Sequence, residues 1–129
     1  MIFDTDIFIW VQRGNKQAAN LMEKTEGRCL SILTYMELLQ AAQDKKQHSY
    51  IKDFILGLGF VVLPLSENVG HRASIYIEEY SLNSGLRAGD AIIAATAVEN
   101  NMMLVPGMPN TSNLLRILKP SFFVLEALQ

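Results

Sequence analysis

The chain has 129 residues, enough for one domain with a real core, and half of them are hydrophobic. With 11 Lys and Arg against 13 Asp and Glu, the net charge is −2, so bulk electrostatics does not announce a nucleic-acid binder and any basic patch must be local. A mean hydropathy of +0.17 is apolar for a soluble domain and predicts a fully covered sheet or a large partner interface.

In chain order, Met1–Phe3 reads as a short apolar strand ending at Asp4-Thr5-Asp6. This start lacks a basic segment and an apolar signal core, so a signal peptide is not expected. Ile7–Val11 predicts a first helical turn, and Arg13-Gly14-Asn15 a reverse turn. Lys16–Thr25 has Ala19, Leu21 and Met22 at helical spacing and ends before Gly27. Arg28–Leu33 reads as a strand around Cys29, Leu30 and Ile32. That lone cysteine cannot form an internal disulfide, which fits a reducing, cytoplasmic setting. Thr34–Gln43 reads as a helix, with Thr34 and Glu37 at capping-box spacing. Asp44–His48 is a charged connection, and Ser49–Leu58 a helix stopped by Gly57 and Gly59.

Phe60–Leu65 is a nearly continuous apolar run, the pattern of a central parallel strand, with Pro64 marking its end. Ser66 caps a longer helix to Leu82, and Asn83–Gly85 breaks it. Leu86–Asn101 is the most helical and most apolar stretch, with no charge from Ala91 to Val98 and Asp90 in its first turn. Met102–Val105 is a strand, Pro106–Asn113 a loop, Leu114–Leu118 a helical turn, and Phe122–Leu125 a last edge strand. No apolar run approaches the roughly 20 residues of a membrane span. His48 and His71 sit alone in charged surroundings and are expected at the surface.

Strands alternating with helices predict a single α/β domain over residues 1–129 with a mainly parallel sheet. Ligands in such sheets sit outside the carboxyl ends of the strands. Asp4 and Asp6 leave the first strand at that edge, and Glu37 and Asp90 start helices there. Each acid has a plain structural alternative. Asp4 could cap the following turn, Asp6 could be a solvated N-cap, Glu37 could serve only the capping box, and Asp90 could only complement its helix dipole. Against four separate structural roles stands the apolar sequence around all of them. Carboxylates gathered at a core edge repel one another and stay ionised only beside a cation. Hard oxygen donors without His or Cys select Mg²⁺ or Mn²⁺ over zinc.

Three segments carry a resemblance: Ile2-Phe3-Asp4-Thr5-Asp6, Ser31–Leu38, and Leu86–Ala97 with its Ala-Gly-Asp-Ala-Ile-Ile-Ala-Ala-Thr-Ala core. In order, spacing and chain length they resemble a PIN domain of the kind found in VapC-like toxins of toxin–antitoxin pairs. The resemblance implies a three-layer α/β/α fold and a ribonuclease dependent on Mg²⁺ or Mn²⁺. It implies Asp4, Glu37 and Asp90 as catalytic metal carboxylates, with Asp6 a weaker helper. It also implies an RNA substrate and an antitoxin covering the acidic edge. The apolar surplus adds a homodimer to these expectations. Basic candidates for RNA contact are Arg13, Lys16, Lys45, Lys46, Arg87 and Arg116, of which Arg87, just before Asp90, is best placed. Thr34 or Ser31 could orient a carboxylate or a water, although cap and strand roles account for both.

Two other readings compete. Asp4-x-Asp6 after an apolar strand also resembles the nucleophile motif of haloacid-dehalogenase-like phosphohydrolases, and a PIN scaffold without activity could serve only to bind a partner. There is no Gly-rich phosphate loop of the Walker or dinucleotide type.

The chain departs from the family pattern after Leu104-Val105. The pattern places a Thr and, two residues on, an Asp or Asn, where this chain has Pro106 and Met108. A thioether is a soft ligand and contributes nothing to Mg²⁺; Asn110, Thr111 or Asn113 are the nearby oxygen donors. Met108→Asp is therefore expected to raise Mn²⁺ stoichiometry and affinity in calorimetry and to lower metal-free stability by adding like charge. If stoichiometry, affinity and metal-free melting all stay level, Met108 lies away from the acidic edge.

Overall fold

The computed structural model describes residues 1–105. Four strands, β1 (Ile2–Phe3), β2 (Cys29–Ser31), β3 (Val61–Leu63) and β4 (Leu104–Val105), lie in the order β3-β2-β1-β4, and every pair is parallel. Six helices join them: α1 (Thr5–Gln12), α2 (Lys16–Lys24), α3 (Ile32–Ala41), α4 (Lys45–Gly57), α5 (Glu67–Ser84) and α6 (Ala88–Glu99). Ile2 pairs with Cys29 on one side and with Leu104 on the other, so β1 is the strand around which the chain changes direction across the sheet.

The period of two along a strand splits the core into two faces. Ile2, Cys29, Leu63 and Leu104 point to one side and pack on Ile93, Ala94 and Ala97 of α6. Phe3, Leu30 and Val105 point to the other and pack on Ile7, Phe8, Met22, Leu38, Ile51 and Ile55 of α1–α4. The sheet is thus sandwiched between α5–α6 and α1–α4, the expected three-layer α/β/α arrangement with a parallel sheet. On the second face Phe3 meets Phe8 and Phe60 edge-on, with centroids 6.4 and 5.6 Å away.

Helix α6 shows why its sequence is so rich in alanine. Ala91 and Ala95 are fully buried against Val69 and Ala73 of α5, while Ala94 and Ala97 are buried on the sheet side. A helix buried on two sides has no polar stripe, and small side chains bring backbones close. Arg72 of α5 closes the outer seam, its Nε donating to Glu99 Oε1 of α6 at 2.6 Å. That hydrogen bond and charge hold the guanidinium pKa up.

Several expectations hold and several move. Ser66 caps α5 through its hydroxyl, and Gly85 ends it at φ +72°, the left-handed turn that glycine adopts at no steric cost. β2 is shorter than Arg28–Leu33, because Ser31 accepts from the Leu33 amide and starts α3 at Ile32. There is accordingly no capping box at Thr34 and Glu37: Thr34 lies inside the first turn and Glu37 in the second. Asp44–His48 is not a connection, since Asp44 caps α4 by accepting from the Gln47 amide. β3, expected at the centre, is an edge strand among the described residues, with Val61 55% exposed; an apolar run alone does not separate an edge strand from a central one. His48 is only partly exposed and bonds the Leu39 carbonyl from Nε2 at 2.7 Å, while His71 is exposed as expected. Cys29 is a buried free thiol whose pKa burial raises. The segments Pro106–Asn113, Leu114–Leu118 and Phe122–Leu125, with Met108 and Arg116, lie outside the described residues. Among the described residues no helix is long and apolar enough to cross a membrane.

Arg28 ties two helix ends together. Its Nε donates to the Met22 carbonyl, Nη2 to that of Glu23 and Nη1 to that of Leu58, each at 2.7 Å. These carbonyls close α2 and α4, where the helix dipole favours a cation. A lysine ammonium cannot match a planar fork spread over two chain segments. Arg28→Lys is expected to cost about 1–2 kcal/mol in urea unfolding. A loss within error of zero would mean that water replaces the fork without penalty.

Candidate active site

In a parallel sheet every strand ends on the same edge, and helices returning over a face start there. Asp4 directly follows β1; its amide bonds the Val105 carbonyl of β4 at 3.1 Å, and its carbonyl receives the Ile7 amide at 3.1 Å. It stands at the N-cap position of α1, but its side chain makes no capping bond, and it is 5% exposed. The capping alternative for Asp4 therefore fails. Asp6 lies in the first turn of α1 and is not an N-cap. Asp90 lies in the first turn of α6, behind the N-cap residue Arg87, whose exposed side chain makes no capping bond.

The starts of α3 and α6 meet at this edge. A Cβ on Gly89 would sit 3.6 Å from Leu33 Cδ2, ordinary van der Waals contact, so α6 begins against the first turn of α3. Glu37 is one turn further along α3 and partly buried. Its Oε1 accepts from the Thr5 hydroxyl at 2.8 Å, and Thr5 Oγ1 lies 3.0 Å from Thr34 Oγ1. That bond ties Glu37 to Thr5, the residue between Asp4 and Asp6.

Like charge is felt here. The Asp6 carboxyl pKa is raised, first by burial and then by the negative charge of Asp90. No salt bridge to either acid forms among the described residues, whose ion pair is Arg72–Glu99. The two acids at the starts of α1 and α6 thus share a negative field that the helix N-termini offset only in part.

Whether these residues suit a divalent cation rests on donor chemistry and arrangement. All four are hard oxygen donors, suited to Mg²⁺ or Mn²⁺. Among the described residues no three His, Cys, Asp or Glu side chains form a ready-made cage. Mg²⁺ does not require one: it keeps several waters and is commonly held by one or two carboxylates together with substrate phosphates. The acidic edge fits an ion held in that open manner.

Sequence reasoning missed Thr5. Its position between Asp4 and Asp6 was the available signal, but only the three-dimensional approach of α1 to α3 shows that its hydroxyl meets Glu37. It also ranked Asp6 below the other acids, whereas the structure couples Asp6 electrostatically to Asp90.

Comparison with known proteins agrees with this architecture. Residues 1–106 match the family described as PIN domain. A toxin–antitoxin complex from Klebsiella pneumoniae contains a chain 26% identical, with TM-score 0.69, covering 84% of this chain and 92% of that one. VapBC2 from Rickettsia felis, bound to a DNA fragment from its promoter, gives 19% identity and TM-score 0.70 over 95% and 96% of the two chains. Mycobacterium tuberculosis VapC20, a toxin that cleaves the sarcin-ricin loop, gives 13% identity and TM-score 0.70 over 88% and 95%. No match is found among curated proteins.

Two substitutions separate the electrostatic contributions. Asp6→Asn should raise the melting temperature in EDTA by on the order of 1–2 °C, because charge relief at a part-exposed site is small. Mn²⁺ should raise the wild-type melting temperature, since a ligand bound only by the folded state stabilises it, and Asp90→Asn should abolish that rise. An undiminished rise in Asp90→Asn would place the ion elsewhere.

Proposed function

We propose a function from one premise: this chain belongs to the PIN domain family. It acts as a metal-dependent endoribonuclease of the VapC toxin type, hydrolysing RNA phosphodiester bonds. The observation that carries this reading is the placement of Asp4, Asp6 and Asp90 at a strand end and two helix starts on the carboxyl edge of the sheet, with Asp6 in the field of Asp90 and Glu37 accepting from Thr5. The toxin–antitoxin origin of the structural neighbours adds support. Family membership sets aside the dehalogenase-like alternative.

Asp4, Glu37 and Asp90, assisted by Asp6, would hold Mg²⁺ or Mn²⁺. When bound, the ion would polarise a phosphoryl oxygen, acidify a water and offset charge in the transition state. The chain does the rest through placement. Asp4 and Asp90 are backed by fully buried Phe3 and Ala91, so their backbones stay fixed while substrate approaches. Arg87 is exposed three residues before Asp90 and would take a substrate phosphate as a bidentate contact.

The reading includes an antitoxin and a second copy of the chain. For the antitoxin there is an open, mainly apolar groove of about 490 Å³ between α1, α3 and α4, lined by Phe8, Val11, Leu38, Ile51, Phe54 and Ile55. It would seat the apolar face of a helix. The homodimer rests on the chain's apolar surplus, half of its residues being hydrophobic.

With Mg²⁺ or Mn²⁺ the purified chain is expected to cleave single-stranded or loop RNA. EDTA should stop it, and Asp90→Asn should slow it on the order of 100-fold or more. Cleavage that survives both treatments rules out this mechanism. Mn²⁺ binding without cleavage of any RNA would favour a scaffold that only binds its partner.

A further inference from the structure

We propose that Thr5, anchored by Thr34, is the positioning residue that holds Glu37 at the acidic edge. The proposal rests on the metal-site reading above and deepens it. Three side chains form a directed chain. An ionised carboxylate only accepts, so the single Thr5 proton goes to Glu37 Oε1, 2.8 Å away. Thr5 then has lone pairs left for Thr34, whose Oγ1 lies 3.0 Å away and donates in turn. Thr34 is completely buried. Both threonines are β-branched helix residues with few χ1 choices, and the burial of Thr34 together with its bond to Thr5 selects among them.

Glu37 needs such an anchor. Asp4 and Asp90 reach the edge from backbone fixed at a strand end and a helix start, on short side chains with two torsions. Glu37 starts a turn deeper into α3, on a longer side chain that loses more rotamer freedom when fixed. The Thr5 bond meets part of that entropy before any ion arrives, and a carboxylate engaged through Oε1 keeps Oε2 for a cation. The tie spans 32 residues of sequence and joins α1 to α3. One hydroxyl therefore couples the corner carrying Asp4 and Asp6 to the helix carrying Glu37.

The test compares Thr5→Val, which keeps the shape and removes the hydroxyl, with Thr5→Ser, which keeps the hydroxyl. Mn²⁺ affinity is read by calorimetry, and metal-free stability by urea unfolding in EDTA. Thr5→Val is expected to weaken Mn²⁺ on the order of 10-fold, the worth of one hydrogen bond to a charged group. Thr5→Ser should stay within about 2-fold of wild type, given a retained donor. In a Glu37→Ala background Thr5→Val should cause no further loss of affinity. Equal affinity in Thr5→Val and wild type overturns the proposal, as does an equal loss in the Glu37→Ala background. Coupling between Thr5 and Glu37 in the metal-free urea experiment, without any effect on Mn²⁺, makes the bond structural and also overturns it. If wild type binds no Mn²⁺ at all, the metal-site reading itself fails and this assignment falls with it.

Discussion

The structure depends on a parallel sheet that is covered on both faces. Ile2 and Phe3 are both completely buried, although they point in opposite directions, because α6 covers one side of β1 and α1–α4 the other. Such a sheet offers polar groups only its two strand-end edges. Since the four strands of the described residues run the same way, the first polar residue after β1, Asp4, must emerge at the carboxyl edge. The starts of α1, α3 and α6 fall there too. Concentrating acids at one edge follows from covering the sheet.

That concentration works against stability. Asp6 is partly desolvated and sits in the field of Asp90, and both effects disfavour its charge. Helix N-termini return some of the cost through their dipoles, worth tenths of a kcal/mol up to about 1 each. Locally unfavourable arrangements in otherwise consistent proteins tend to mark functional sites. The rest of the fold is consistent: Asn15, Ser31, Asp44 and Ser66 each cap a helix with a side-chain oxygen. α1 and α6, the two helices whose first turns carry these acids, have no such bond.

What the sequence made legible follows the strength of its periodic signals. α6 was readable from its uncharged alanine-rich run, and α5 from Ser66 at one end and Gly85 at the other. The carboxyl-edge placement of Asp4, Asp6 and Asp90 followed from strand–helix alternation alone. The start of α3 was not readable, because Ser31 stands in a run that reads as strand while Thr34, three residues on, reads as the cap. Thr34 with Glu37 imitated a capping box, while Ser31 took the role once β2 ended beside Leu63. The position of β3 was not readable either, since Phe60–Leu65 is apolar whichever strands flank it. Strand order is set by long-range pairing, which no window of sequence contains.

The misread cap and the missed hydroxyl have one cause. Thr34 had two available roles, closing the helix by a local bond or reaching across to another element. With Ser31 closing α3, Thr34 is released from the local role and lies buried within reach of Thr5. A helix starting at Thr34 would have left Glu37 in its first turn, where the Glu side chain reaches back to its own N-cap amide. Starting the helix three residues earlier moves Glu37 beyond that reach and leaves its carboxylate for Thr5. Whether Ser31 or Thr34 closes the helix thus decides whether Glu37 serves its own helix or the acidic edge.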